Sequence, residues 1–162
     1  DPLDNNLHAE LIASQGNLNI TVQPWGSIYI NDELRKKDTN IKYSCILPGG
    51  EHTIRVVHPI FGEWKKTVRI GDGDTINMPV NFNDQVNIRI TAFDADGKPI
   101  WAEILVDNES TGELTPKEIS VRVGQRTIAA KKEGYILVNG ERKLMLDKYI
   151  NEPIKFIFKK AL

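Results

Sequence analysis

Three histidines, His8, His52 and His58, are the side chains best suited to ligating a metal or moving a proton. A zinc site needs three or four converging ligands. His52 and His58 stand six residues apart, and their nearest acids, Glu51 and Glu63, complete no recognised spacing. Asp94-Ala95-Asp96-Gly97 opens like a calcium loop, but position twelve, which should be Glu, is Leu105. It is expected instead to be a turn whose aspartate accepts local amide hydrogen bonds, and Gly71-Asp72-Gly73-Asp74 likewise. None of Ser14, Ser27, Ser44, Ser110 and Ser120 sits in a Gly-x-Ser-x-Gly elbow. No glycine-rich loop precedes a helix, so phosphate cradling is unsupported. Cys45 is the single cysteine, which excludes an internal disulfide and a cysteine zinc site. Within Tyr43-Ser44-Cys45-Ile46-Leu47 it is expected to act as a small hydrophobe. No catalytic residue, cofactor or metal is expected, and the chain is expected not to be an enzyme.

The tryptophans offer another chemistry, because an exposed indole on a sheet can stack on a sugar ring. Trp25, Trp64 and Trp101 are the candidate ligand contacts. Trp64, beside Lys65 and Lys66, is expected to be the most exposed. Trp25 and Trp101 hold matching places in a repeat, which favours a structural role. The short basic runs Arg35-Lys36-Lys37 and Lys131-Lys132 are flanked by acids and read as solvated loops or hairpin ends.

The elements carrying these residues are strands. Asn17-Leu18-Asn19-Ile20-Thr21-Val22 alternates polar and apolar residues, the mark of a strand with one buried face. Val86, Ile88, Ile90 and Ala92 repeat it, as do the stretches 53–56, 67–70 and 120–123. Turn residues separate them at Pro48-Gly49-Gly50, Gly71–Asp74, Asp96–Pro99, Thr111-Gly112 and Asn139-Gly140. Asn139-Gly140 is expected to be a two-residue hairpin of type I′. Short strands at such spacing indicate a β-sandwich or barrel. Residues 1–15 are expected to be a linker or short helix, from Leu7, Leu11 and Ile12.

The sequence also repeats. Trp25-Gly26-Ser27-Ile28-Tyr29-Ile30-Asn31 matches Trp101-Ala102-Glu103-Ile104-Leu105-Val106-Asp107 at a shift of 76. Gly50-Glu51-His52-Thr53-Ile54 matches Gly124-Gln125-Arg126-Thr127-Ile128 at a shift of 74, which also sets Pro79 on Pro153 and Phe82 on Phe156. The expected domains are 16–83 and 84–162, two tandem small antiparallel β-sandwiches (Ig-like or prealbumin-like) of six or seven strands each, in an all-β chain. Each is small for an independent core.

Composition narrows the partners. The 162 residues are 40% hydrophobic and 27% charged, with net charge −1. Residues 1–83 carry 10 acids and 8 bases, and residues 84–162 carry 12 and 13. No basic excess exists for nucleic acid. No apolar run of about 18 residues exists, so no transmembrane segment is expected. The start at Asp1 suggests a processed form or a fragment of a larger protein.

These residues resemble the PEGA domain, a small bacterial β-sandwich module named for a Pro-Glu-Gly-Ala stretch before an apolar strand ending in Asp-Gly. Pro24-Trp25-Gly26-Ser27 precedes Ile28-Tyr29-Ile30-Asn31-Asp32, keeping the proline and glycine. The family continues with Gly-x-Thr-Pro, a Pro-Gly-x-His turn and Gly-Tyr. The second copy has Gly112-Glu113-Leu114-Thr115-Pro116, Val123-Gly124-Gln125-Arg126 and Gly134-Tyr135. The first has Pro48-Gly49-Gly50-Glu51-His52 and Phe61-Gly62, and lacks Thr-Pro. Through Asp96-Gly97-Lys98-Pro99-Ile100 the second copy is also similar to the carboxypeptidase regulatory-like fold. The resemblance implies a non-catalytic accessory interaction or spacer module of a larger bacterial envelope protein. It would be extracytoplasmic, in the periplasm or on the cell surface, and bind a protein or cell-wall partner. The alternative is a carbohydrate-binding module using exposed tryptophans. The resemblance gives His52 a structural place in a turn. It implies that Gly50 and Gly124 allow turn geometry, and that Pro116 starts an edge strand.

Overall fold

The structure, a computed structural model, describes residues 14–147, 150 and 152–162. The linker or helix expected over residues 1–15 lies outside the described residues except for Ser14 and Gln15, and Gln15 already belongs to the first strand. Among them no helix occurs, and the chain is all-β. It forms two compact units. One holds the described residues up to Pro59 together with Lys65–Asn81, and the other holds Ile60–Trp64 and Phe82–Leu162.

Seven strands build the first unit, β6 belonging to it from Lys65 onward: β1 (Gln15–Gln23), β2 (Gly26–Ile30), β3 (Glu33–Thr39), β4 (Tyr43–Pro48), β5 (Gly50–His58), β6 (Gly62–Ile70) and β7 (Thr75–Asn81). One sheet has the order β4-β1-β7 and the other β3-β2-β5-β6. The alternation in β1 works as its sequence dictates. Leu18, Ile20 and Val22 are buried, while Asn17, Thr21 and Gln23 are exposed. Ile28, Ile30, Ile54, Val56, Val68 and Ile70 supply the buried side of the other sheet. Gly26 is held small by its neighbours, since a Cβ there would stand 3.0 Å from Val56 and 3.2 Å from Val22.

The second unit has eight described strands: β8 (Gln85–Phe93), β9 (Glu103–Val106), β10 (Glu109–Leu114), β11 (Lys117–Arg122), β12 (Gly124–Lys131), β13 (Tyr135–Leu137), β14 (Arg142–Leu146) and β15 (Ile154–Lys160). Its sheets run β11-β8-β15-β13 and β10-β9-β12-β14. Ile88, Ile90, Ile104, Ile128, Phe156 and Phe158 are fully or almost fully buried in it. The pairing plan is that of the first unit, with β8 between β11 and β15 as β1 lies between β4 and β7. β1 pairs with β7 and β8 with β15 in parallel, while β1 with β4, β2 with β3 and β5, β8 with β11, β9 with β10 and β12, β12 with β14, and β13 with β15 are antiparallel.

Register corrects part of the sequence alignment. Val22 pairs with Val80, and Ala92 pairs with Phe156. The partner of Phe156 in the repeat is therefore Val80, not Phe82. The exchange of Val22 and Val80 for Ala92 and Phe156 sets a small residue against a larger one.

The Asn139-Gly140 expectation also fails. Strand β13 pairs with β15 and β14 with β12, so these residues join strands of different sheets. Gly140 has φ +71°, but Asn139 does not share a positive φ. Its amide instead spans to β15, donating to the Lys155 carbonyl at 2.8 Å and accepting from the Ile157 amide at 2.9 Å. The two-residue hairpins with positive φ at both positions are Asn31-Asp32 (51° and 66°) and Asp107-Asn108 (51° and 66°).

Candidate functional site

Two polar residues matched by the repeat, His52 and Arg126, lie at the tips of these two hairpins. In the first unit the buried His52 lies beside the β2–β3 turn. Its Nε2 is 2.7 Å from the Pro48 carbonyl, which can only accept, so Nε2 carries the proton. Its Nδ1 then accepts from the Asn31 amide at 2.9 Å. The Asn31 Oδ1 accepts from the Thr53 amide at 3.0 Å.

In the second unit the same tie is made with other chemistry. Arg126, 8% exposed, donates from Nη1 to Asp107 Oδ2 at 3.3 Å. Its Nε donates to the Arg122 carbonyl at 3.0 Å, and Nη2 to the Val123 carbonyl at 2.9 Å and the Phe61 carbonyl. Asp107 Oδ1 accepts from the Thr127 amide at 2.9 Å, as Asn31 does from Thr53. Gly50 and Gly124, two residues before His52 and Arg126, have φ +124° and +123°, the turn freedom expected of them.

Thr115 makes a second tie. It is 1% exposed; its Oγ1 accepts from the Ala102 amide at 2.9 Å and donates to the Ile100 carbonyl at 2.8 Å. Pro116 directly precedes the edge strand β11, the place expected for it. Sequence reasoning missed the counterpart, Thr39, 5% exposed, whose Oγ1 accepts from the Ile41 amide at 3.1 Å. The shift of 76 that equates Trp25 with Trp101 also equates Thr39 with Thr115, so the signal was present. Asn40, in place of proline, concealed it.

The acidic loops behave as turns. Asp94 Oδ1 accepts from the amides of Asp96 and Lys98, each at 2.9 Å. Asp74 Oδ2 accepts from the Gly71 amide at 2.8 Å. The half-buried Cys45 thiol is pushed above its ordinary pKa by burial, a rise opposed by the Arg35 charge and a Tyr43 hydrogen bond.

The tryptophans part company. Trp64, expected to be exposed, is 4% exposed. It shares strand parity with Val68 and Ile70, so the charge of adjacent Lys65 says nothing about its face. Trp25 is half-buried, its ring 4.3 Å from that of His58 at a tilt of 49°. Trp101 is 73% exposed. It lines a shallow groove of ≈ 650 Å³ with Glu103, Leu114, Lys131, Lys132 and Glu133. Lys132 Nζ donates to the Trp101 carbonyl at 2.9 Å. A smaller cavity of ≈ 280 Å³ is bounded by Phe61, Asp107, Thr111, Ser120, Arg122 and Arg126. Both guanidiniums there are engaged, since Arg122 donates to the Phe82 carbonyl at 2.7 Å and lies 4.2 Å from the Phe61 ring centroid.

Residues 15–85 match the PEGA domain family, a span that takes in all seven strands of the first unit. No curated protein matches the chain. Among solved structures it is similar to the Bacillus anthracis TIE protein, at 16% identity and TM-score 0.38, over 92% of this chain and 34% of that one. It is also similar to the Streptococcal ancillary pilin, at 13% identity and TM-score 0.38, over 94% of this chain and 63% of that one. The chain thus spans less than two thirds of either. No described helix is long and apolar enough to cross a membrane.

Proposed function

We propose that the chain is a non-catalytic accessory module of a larger bacterial envelope protein, built from two PEGA-like copies at 16–83 and 84–162. It acts outside the cytoplasm, in the periplasm or on the cell surface, and presents loops and sheet edges to a protein or cell-wall partner. The observation that carries this reading is how the chemically able residues are used. The His52 ring is held by Asn31 and the Pro48 carbonyl, the Arg126 guanidinium by Asp107 and three carbonyls, and the Thr115 hydroxyl by Ile100 and Ala102. These groups fasten turns. The PEGA match over 15–85 and the shared pairing plan of the two units support the tandem assignment.

A second reading, carbohydrate binding, now rests on Trp101 alone, since Trp64 is buried and Trp25 is packed against His58. The test is capture by the immobilised chain from envelope-protein and cell-wall polysaccharide fractions of the organism that encodes it, with a Trp101→Ala control. Retention of a defined envelope protein by chain and control alike supports the accessory role. Retention of polysaccharide, lost in the control, replaces it with the second reading. Turnover of any bound component overturns both.

A further inference from the structure

Eight strands end sheets among the described residues, and seven of them are guarded against pairing with another chain. Strand β3 carries Arg35, Lys36 and Lys37 and two register shifts. Strand β10 has a register shift and two glutamates, Glu109 and Glu113. Strands β6, β11 and β14 bear lysines and arginines. Strand β7 has Pro79 within it, and β13 has three residues. Charge, proline, bulges and shortness are the usual devices that blunt an edge.

Strand β4, Tyr-Ser-Cys-Ile-Leu-Pro, has no charge, no bulge and no proline before its last residue. It keeps unbroken register with β1 over six pairs, and its proline is the last residue. Its hydrogen-bonding direction follows from the adjoining pair. The Gly49 amide donates to the Ser14 carbonyl at 2.8 Å, and bonded and unbonded pairs alternate along an antiparallel ladder. Leu47, Cys45 and Tyr43 therefore turn their backbone groups to β1. Ser44 and Ile46 turn theirs to the open side of the sheet. The Ile46 side chain is itself 61% exposed.

We propose that this edge pairs with β4 of a second copy of the chain, antiparallel, about a two-fold axis through Cys45. Neutrality argues for this occupant. In a two-fold contact a residue near the axis meets its own copy, so an edge carrying one sign of charge there repels its copy. No Asp, Glu, Lys or Arg occurs in β1, β4 or β7, in a chain that is 27% charged. With Cys45 facing its equivalent, Ser44 exchanges both backbone bonds with Ile46 of the second copy, and the symmetry repeats the exchange. The two three-stranded sheets become one of six strands. This deepens the proposed role by naming a partner, and rests on that role only in using a sheet edge.

The test is sedimentation velocity on the full chain from about 10 μM to about 1 mM, the range in which a weak pairing becomes visible. A monomer–dimer equilibrium is expected. Ile46→Pro removes only an outward donor and leaves the bonds to β1, as edge strands tolerate. Ile46→Lys sets a like charge across the axis. Both variants are expected to keep the circular dichroism spectrum and remain monomeric. Facing unbonded residues stand about 4.5 Å apart at Cα, within disulfide reach, so copper phenanthroline oxidation is expected to link the dimer through Cys45. A monomer throughout the range, or a dimer that persists in folded variants or resists linking at Cys45, overturns the proposal. A monomer that still captures an envelope partner refutes the pairing and leaves the proposed role standing. A dimer that captures nothing does the reverse.

Discussion

Arg126 Nη1 lies 3.3 Å from Asp107 Oδ2, in the place where the first unit sets His52 against Asn31. The two pairs share almost no chemistry and perform one task. Each ties a two-residue turn to the start of the neighbouring strand of the sheet, β5 or β12, and to a carbonyl four residues upstream of the buried member, Pro48 for His52 and Arg122 for Arg126. The task is geometric, and the imidazole of one unit and the guanidinium of the other each have the shape for their own set of partners.

Arg126→Ala leaves the carbonyls of Arg122 and Val123 without their donor in a buried setting. Its expected cost is about 2–4 kcal/mol, from the desolvated acceptors and the lost charge-assisted bonds. Arg126→Lys is expected to recover little of it, because one ammonium does not reproduce a planar fork. Asp107→Ala is expected to cost about 1 kcal/mol, since the Asp107 side chain is 47% exposed. Urea midpoints of the three variants check the order. A lysine variant equal to the parent refutes the need for the forked guanidinium.

Thr115→Val keeps the shape and deletes the hydroxyl. The Ala102 amide and the Ile100 carbonyl then lose a partner at a site only 1% exposed. The expected loss is about 1–3 kcal/mol. A variant as stable as the parent in urea would remove Thr115 from the structural account.

Much of this was legible. The period-two pattern located the strands, the match of 25–31 to 101–107 took in Asn31 and Asp107, and the Gly50 and Gly124 match took in His52 and Arg126, which fasten them. The failures have physical causes. Asn139-Gly140 carries a hairpin dipeptide, but local turn preference does not decide which strands pair, and Tyr135–Leu137 pairs with β15 instead. Trp64 was judged by its charged neighbours, although strand neighbours face opposite sides. The parallel pairs are contacts between distant segments, and alternation along one strand carries no record of its partner's direction. The β4 edge was legible only as an uncharged run; that it lies at the end of a sheet is a matter of topology.

Acrylamide quenching separates the tryptophans. Trp101→Phe is expected to remove most of the quenchable emission, and Trp64→Phe to leave it. The difference follows from 73% against 4% exposure. Equal loss in the two variants would contradict the burial of Trp64.

Alkylation of Cys45 has a defined pH dependence. Burial raises its pKa in the folded chain, so the thiol form is favoured there over the unfolded form. That contribution to stability is fully present below the unfolded thiol pKa and lost as pH rises through the folded one. At a pH near the ordinary thiol value of about 8.5, iodoacetamide is expected to react more slowly with folded than with urea-unfolded chain. Raising the pH narrows the gap. Equal rates would mean that the thiol is neither desolvated nor shielded.

The hairpin tips give the last prediction. Asp32 and Asn108 both have φ 66°, where a side chain is strained unless it is small and polar, and glycine is at ease. Asn108→Gly is expected to be neutral or stabilising by up to about 1 kcal/mol, because an aspartate followed by glycine is a preferred type I′ pair. Asn108→Val places a β-branched residue in the same conformation and is expected to cost about 1–3 kcal/mol. The Asp107 side chain still has to meet Arg126 and the Thr127 amide, so the valine variant either keeps the strained turn or gives up those bonds. Thermal melts of the two variants decide it. A valine variant that melts with the parent would show that the turn does not hold its positive φ in solution.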